Sequence, residues 1–242
     1  MGIFATGIHR ELPIWSTSFE SMDGGGGIDS SMQIYPLWNT SQVTDMHHLF
    51  CGAENFQSDL SQWDTSRVTD ISSMFNGAKA FHANLSLWNN SQVTNMGGMF
   101  LFAYAFTGNV STWDTHSVTN MGFMFSSASI FNGDVSQWNT SLVTDMVLLF
   151  NAAYLFNADV SNWDTRRVTS MESMFNGASS FNRDLSKWNI GHVTKLVYMF
   201  YSASTFNQDL SHWDTSRVVD MYGTFQYATH FNSDVSLWKR AK

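Results

Sequence analysis

A single cysteine, Cys51, is all the chain offers for disulfide chemistry, so no internal framework of bridges holds it together and its stability has to come from packing. Charge is scarce as well. Charged residues make up 13% of the chain, about half the usual share of a soluble domain, which leaves Ser, Thr and Asn to keep the surface polar. Lys and Arg number 12 against 20 Asp and Glu, for a formal net charge of −8. No basic block gathers these cations, and a nucleic-acid partner, which needs them clustered against phosphates, is excluded on that ground. No apolar run approaches the roughly 18 residues of a membrane span, so no transmembrane segment is expected. The first ten residues lack the charged and apolar regions of a secretory signal, although Met1-Gly2-Ile3-Phe4-Ala5-Thr6 fits the loose pattern for myristoylation at Gly2.

Catalytic groupings are missing too. His9, His47, His48, His82, His116, His192, His212 and His230 occupy different offsets, apart from the adjacent His47 and His48. Cys51 has no counterpart, and no serine is set in a nucleophile elbow. The expectation is a protein without catalytic residues, cofactor or resident metal.

What the chain has instead is a period. Tryptophan falls at Trp38, Trp63, Trp88, Trp113, Trp138, Trp163, Trp188, Trp213 and Trp238, every step being 25 residues. A unit that short cannot bury its own apolar face, so it must stack on its neighbours, and the reading is a solenoid of about eight 25-residue coils over residues 34–242 with the Trp column as its structural spine. Residues 1–33 carry only an echo, Trp15-Ser16-Thr17-Ser18, followed by Gly24-Gly25-Gly26-Gly27. They read as a capping coil with a glycine linker, or as a leader.

Within each unit Val, Met, Phe and Ala return at offsets 0, +3, +7 and +10, as in Val43, Met46, Phe50 and Ala53. This is the stripe of an amphipathic α-helix of two to three turns. Thr44, Thr69, Thr94, Thr119, Thr144, Thr169 and Thr194 stand where its N-cap would be, Thr169 with Glu172 forming a capping box, and Val219 breaks the series at a weaker start. A Leu or Val followed by Ser, from Leu60 to Val235, predicts a short strand in each coil and a parallel sheet. Because helices pack at 8–10 Å and strands at about 4.8 Å, the sheet is expected to line a concave face. The predicted fold class is therefore an α/β repeat solenoid, short parallel strands on one face and short helices on the other.

The unit Trp163-Asp164-Thr165-Arg166-Arg167-Val168-Thr169-Ser170-Met171-Glu172-Ser173-Met174-Phe175, with Phe181-Asn182-Arg183-Asp184-Leu185-Ser186 after it, resembles the short repeat of BspA-like leucine-rich-repeat surface proteins. The resemblance spans residues 34–242. It implies a leucine-rich-repeat-like solenoid, a location on the cell surface or outside the cell, and a role in adhesion or protein binding, with no shared enzymatic residues.

Three groups of residues are candidates for function. Asp59, Asn84, Asn109, Asp134, Asp159, Asp184, Asp209 and Asp234 form one stacked column, and Asn39, Asp64, Asn89, Asp114, Asn139, Asp164, Asn189 and Asp214 another. Such columns can hold Ca²⁺ through oxygen or close Asx turns on their own backbone; the second needs no metal. The odd-numbered coils carry Leu101, Phe102 and Tyr104, then Val147, Leu148, Tyr154 and Leu155, then Val197, Tyr198 and Tyr201. These either fill space between coils or make an exposed patch for a protein partner. The Trp and Phe columns read as packing, with carbohydrate binding as the alternative. Asn39, Asn84, Asn89, Asn109 and Asn139 head sequons that a repeat of this composition generates by itself. The functional expectation is an interaction or adhesion module, with a structural subunit of a larger assembly and a glycan-binding protein as alternatives.

Overall fold

A computed structural model describes residues 39–241. The expected cap or leader over residues 1–33, the Gly2 site and Trp38 lie outside the described residues. Eight coils follow one another, each running from the residue after one Trp to the next: coil 1 (39–63), coil 2 (64–88), coil 3 (89–113), coil 4 (114–138), coil 5 (139–163), coil 6 (164–188), coil 7 (189–213) and coil 8 (214–238).

The expected α/β architecture is not the one adopted. Among the described residues there is no helix and no extended strand. The reason lies in where the backbone donors go. In coil 1 the N–H groups of Met46, His48, Phe50 and Gly52 donate to the carbonyls of Asp70, Ser72, Met74 and Asn76 in coil 2, at 2.7–3.0 Å. The intervening N–H groups of Leu49, Cys51 and Ala53 donate three residues back, to Met46, His48 and Phe50. Half the donors that an i→i−4 helix requires are thus given to the next coil. The backbone advances as a run of turns whose third residues, His48 (φ 58°) and Gly52 (φ 74°), take the positive φ of type II geometry. Helices 8–10 Å apart could not keep register with coils bonded backbone to backbone at about 5 Å. Turns of three residues bring Val43, Met46, Phe50, Ala53 and Phe56 inward, which reproduces a helical stripe without a helix.

The other secondary-structure expectations change for the same reason. The threonines are not N-caps: the hydroxyls of Thr69, Thr94, Thr119 and Thr144 donate to the carbonyls of Thr44, Thr69, Thr94 and Thr119 one coil earlier, at 3.1–3.3 Å. Glu172 completes no capping box, its N–H pointing to Ser170 Oγ at 3.4 Å. The Leu-Ser segments are turns rather than strands, as Trp63 N–H donating to the Leu60 carbonyl shows. The only β geometry among the described residues is a column of isolated parallel bridges through Asp45, Asp70, Asn95, Asn120, Asp145, Ser170, Lys195 and Asp220. With neither sheet nor helices, the expected concave sheet has nothing to form it.

Packing follows the columns. Within a coil two phenylalanines stack face to face, Phe100 on Phe106 at 3.8 Å between centroids, and from coil to coil Phe100 meets Phe125 at 5.5 Å. Trp113, Trp138, Trp163 and Trp188 lie parallel at 6.1–6.5 Å. From Trp88 to Trp238 each indole N–H reaches a carbonyl of the preceding coil, Trp138 Nε1 donating to Val110 at 3.1 Å. A second interior column is polar. Thr65 Oγ1 accepts the N–H of Asn89 at 2.9 Å and donates to its carbonyl at 3.1 Å, and buried Thr40, Thr115, Thr140, Thr165 and Thr215 repeat the position. Two coils depart from it, with Asn90 and Ile190. Asn90 is 1% exposed, and neither amide atom has a hydrogen-bond partner.

Candidate interaction surface

Both Asx columns are occupied with local turns. In every coil the side-chain oxygen of the first column accepts the N–H two residues on, from Ser61 on Asp59 at 2.8 Å to Ser236 on Asp234 at 2.8 Å. The second column does the same, from Ser41 on Asn39 to Ser216 on Asp214. A third column lies at the bridge residues, where Asp70 Oδ1 takes the Ser72 N–H at 2.7 Å. Among the described residues no three His, Cys, Asp or Glu side chains come together as a metal site, and no helix is long and apolar enough to cross a membrane.

These turns make stability depend on acid. Hydrogen bonds from the backbone and hydroxyl of Ser61, Ser136, Ser161 and Ser236 hold the carboxyls of Asp59, Asp134, Asp159 and Asp234 below their ordinary 3.8. The side chains of His116 and Arg166 do so for Asp114 and Asp164. Depressed folded-state values stabilise the fold above the unfolded value, and that stability is lost as pH falls through the lower folded values. The melting temperature is expected to hold down to about pH 4 and to fall below 3.8. A chain with Asp59→Asn, Asp134→Asn, Asp159→Asn and Asp234→Asn keeps the turns, since Asn84 and Asn109 already make them, and its acid slope should be shallower. An equal slope in both chains would separate acid sensitivity from this column.

The apolar candidates fall on the outer side of the turn run. Phe102, Tyr104, Tyr154 and Leu155 are 42–51% exposed, while Leu101, Val147, Leu148, Val197, Tyr198 and Tyr201 are half-buried. Residues from coils 3, 5 and 7 do not form one patch. In coil 4, Phe123 (41%) and Ile130 (43%) are also exposed, 25 residues before Leu148 and Leu155 in the same columns, so coils 3–5 carry one aromatic and aliphatic group. Coil 6 presents Glu172, Ser173, Asn176, Gly177, Ser179 and Ser180 at the matching positions and interrupts it. Beyond lies a second group in which Tyr198 meets Tyr201 and Tyr222 edge to face at 5.3 and 5.4 Å, and Tyr201 meets Tyr227 at 5.1 Å. The odd-coil pattern hid Phe123, Ile130, Tyr222 and Tyr227; laying the columns out one by one would have found them.

Several of these side chains stand on backbone that favours glycine. Phe102, Phe123, Leu148, Tyr198 and Tyr227 have φ between 53° and 62°, in columns where Gly52, Gly77, Gly98, Gly177 and Gly223 occur in other coils. At Gly223 a Cβ would lie 2.6 Å from the Tyr198 ring, so the tyrosine occupies the space its neighbour leaves.

The chain is a repeat protein built of hydrogen-bonded 25-residue units. The family model described as "Mycoplasma protein of unknown function, DUF285" matches it over residues 17–137, 81–175 and 124–238, and the chain belongs to this family. No curated protein and no solved structure matches it.

Proposed function

We propose that the chain is a non-enzymatic interaction or adhesion module that meets a protein partner at the outer aromatic group of coils 3–5, on the cell surface or outside the cell as the BspA-like resemblance implies. The observation that carries this reading is the placement of Phe102 and Phe123 at positive φ with exposed side chains. The left-handed region costs a non-glycine residue roughly 1–2 kcal/mol. Large apolar residues kept there, where most other coils use Gly or Ser, mark a position whose side chain is wanted for contact. Aromatic side chains are also what protein interfaces are enriched in. Among the described residues His, Cys and carboxylate groups do not converge, which supports a binding role over a catalytic one.

The test is a cross-linking capture from the native cell surface with the wild-type chain and with Tyr104→Ser and Tyr154→Ser combined, both exposed and both in coils 3–5. The captured protein should be lost while the melting temperature stays within about 2 °C, as for surface substitutions. The same protein captured equally by both chains would remove the tyrosines from the account.

A further inference from the structure

Coils 3–5 contain no lysine and no arginine. Residues 89–163 carry Asp114, Asp134, Asp145 and Asp159 against a single histidine, His116, which is paired with Asp114 at 2.8 Å. The outer cations on either side have carboxylates of their own: Lys79 of coil 2 pairs with Glu54 at 2.7 Å, and Lys195 of coil 7 faces Glu172 at 3.9 Å. A contact surface with net negative charge and no cation of its own steers positively charged partners towards it and turns negative ones away.

One of these carboxylates stands inside the aromatic group. Phe123 donates its N–H to the Val147 carbonyl at 2.8 Å, and Val147 donates its own N–H to Asp145 Oδ1 at 2.9 Å, so a single residue ties the exposed ring to the carboxylate. Gly122 leaves room for it: a Cβ there would lie 3.0 Å from Asp145 Oδ2. In coil 3 the matching glycine, Gly97, lies under Asn120, whose amide donates to Asn95 Oδ1 at 3.0 Å, as the Asn95 amide does to Asp70 Oδ2. That ladder of amides stops at Asp145, which has no hydrogen to pass back. Asp145 is half-buried, and among the described residues no donor reaches its Oδ2.

Building on the partner-binding role stated above, on which this rests, we propose that the group on coils 3–5 takes an arginine-bearing segment of its protein partner, with the guanidinium on the Phe123 ring and Asp145 as its counter-ion. A neutral or acidic segment docked there would cover the Asp145 carboxylate without pairing it, which is costly. A cationic one supplies the missing donor to Oδ2. Arginine fits better than lysine, because its planar guanidinium stacks on an aromatic face while its fork of N–H groups bonds a carboxylate.

The experiment selects a displayed library of random peptides on the full chain, with a chain carrying Phe102→Ser and Phe123→Ser as counter-selection. Ser127 and Ser202 already stand at the first of these positions in other coils and Ser73 and Ser173 at the second, so that chain keeps its backbone path. Asp145→Asn continues the amide ladder of Asn95 and Asn120, and melting curves establish that both variants are folded. Enriched peptides should carry arginine, bind Asp145→Asn about tenfold more weakly, and lose affinity in high salt, which screens exposed charges. Peptides that depend on Phe102 and Phe123 yet lack arginine, or that bind Asp145→Asn as well as wild type, would overturn the proposal and leave the partner-binding role standing. A library yielding no peptide that depends on the two phenylalanines would overturn it as well, while the surface capture with Tyr104→Ser and Tyr154→Ser decides the partner-binding role separately.

Discussion

Trp138→Ala is expected to destabilise the stack by about 3–5 kcal/mol, the range for removing a large aromatic from a core. Trp138 is 4% exposed and lies between Trp113 and Trp163 at 6.1 and 6.2 Å, with Phe125 at 6.1 Å on its flank. Its loss removes ring contacts on both sides and leaves the Val110 carbonyl without the indole N–H it accepts. The position also matters because each coil is coupled to its two neighbours, so a weak coil in the middle uncouples the halves on either side. Denaturant unfolding followed by tryptophan fluorescence would show a lower midpoint and, where uncoupling is complete, two transitions. A midpoint unchanged from wild type would mean that the Trp column contributes little to cohesion.

The second large effect has the opposite sign. Asn90→Thr is expected to stabilise the protein by about 1–3 kcal/mol, the cost of a buried polar group without a partner. The amide of Asn90 is enclosed, and neither its oxygen nor its nitrogen is bonded. A threonine there would accept the Asp114 N–H and donate to its carbonyl, as Thr65 does with Asn89. Asn90→Ile separates the two contributions, since Ile190 already fills the same position in coil 7: it removes the unpaired amide without adding bonds, and should fall between the parent and the threonine variant. A threonine variant no more stable than the parent would show that the amide is satisfied in solution by water.

Much of this arrangement can be read from the chain alone. The 25-residue period marks the stacking unit, and the inward residues Val43, Met46, Phe50, Ala53 and Phe56 are visible as an apolar stripe. The turn chemistry of Asn39, Asp59 and their counterparts is likewise written in the residue types. The backbone path is not, because turns of three residues and an α-helix impose nearly the same 3- and 4-residue spacing on the apolar side chains. What separates them is where the alternate N–H groups go, a tertiary property that no local window contains. One clue was present: glycine at Gly98 and Gly223, in the middle of a supposed helix, is what a left-handed turn position requires. The threonines misled for a similar reason, since a hydroxyl that would cap a helix serves as well to bond a carbonyl one coil away. The outer aromatic group was half legible, because Phe123 and Ile130 fall in coil 4, outside the odd-numbered coils whose apolar residues stand out in the sequence.

Among the described residues coil 6 is the stretch where the outer columns turn polar between two aromatic groups, yet its apolar inner columns match those on either side. It therefore works as a spacer whose thickness is one repeat. Excision of residues 164–188 as a block would join like to like along the apolar interior columns and bring the Tyr198 group against the Tyr154 group, while insertion of another such block would hold them further apart. The separation between the two contact surfaces is accordingly quantised, adjustable only in whole layers, and independent of the chemistry of either surface.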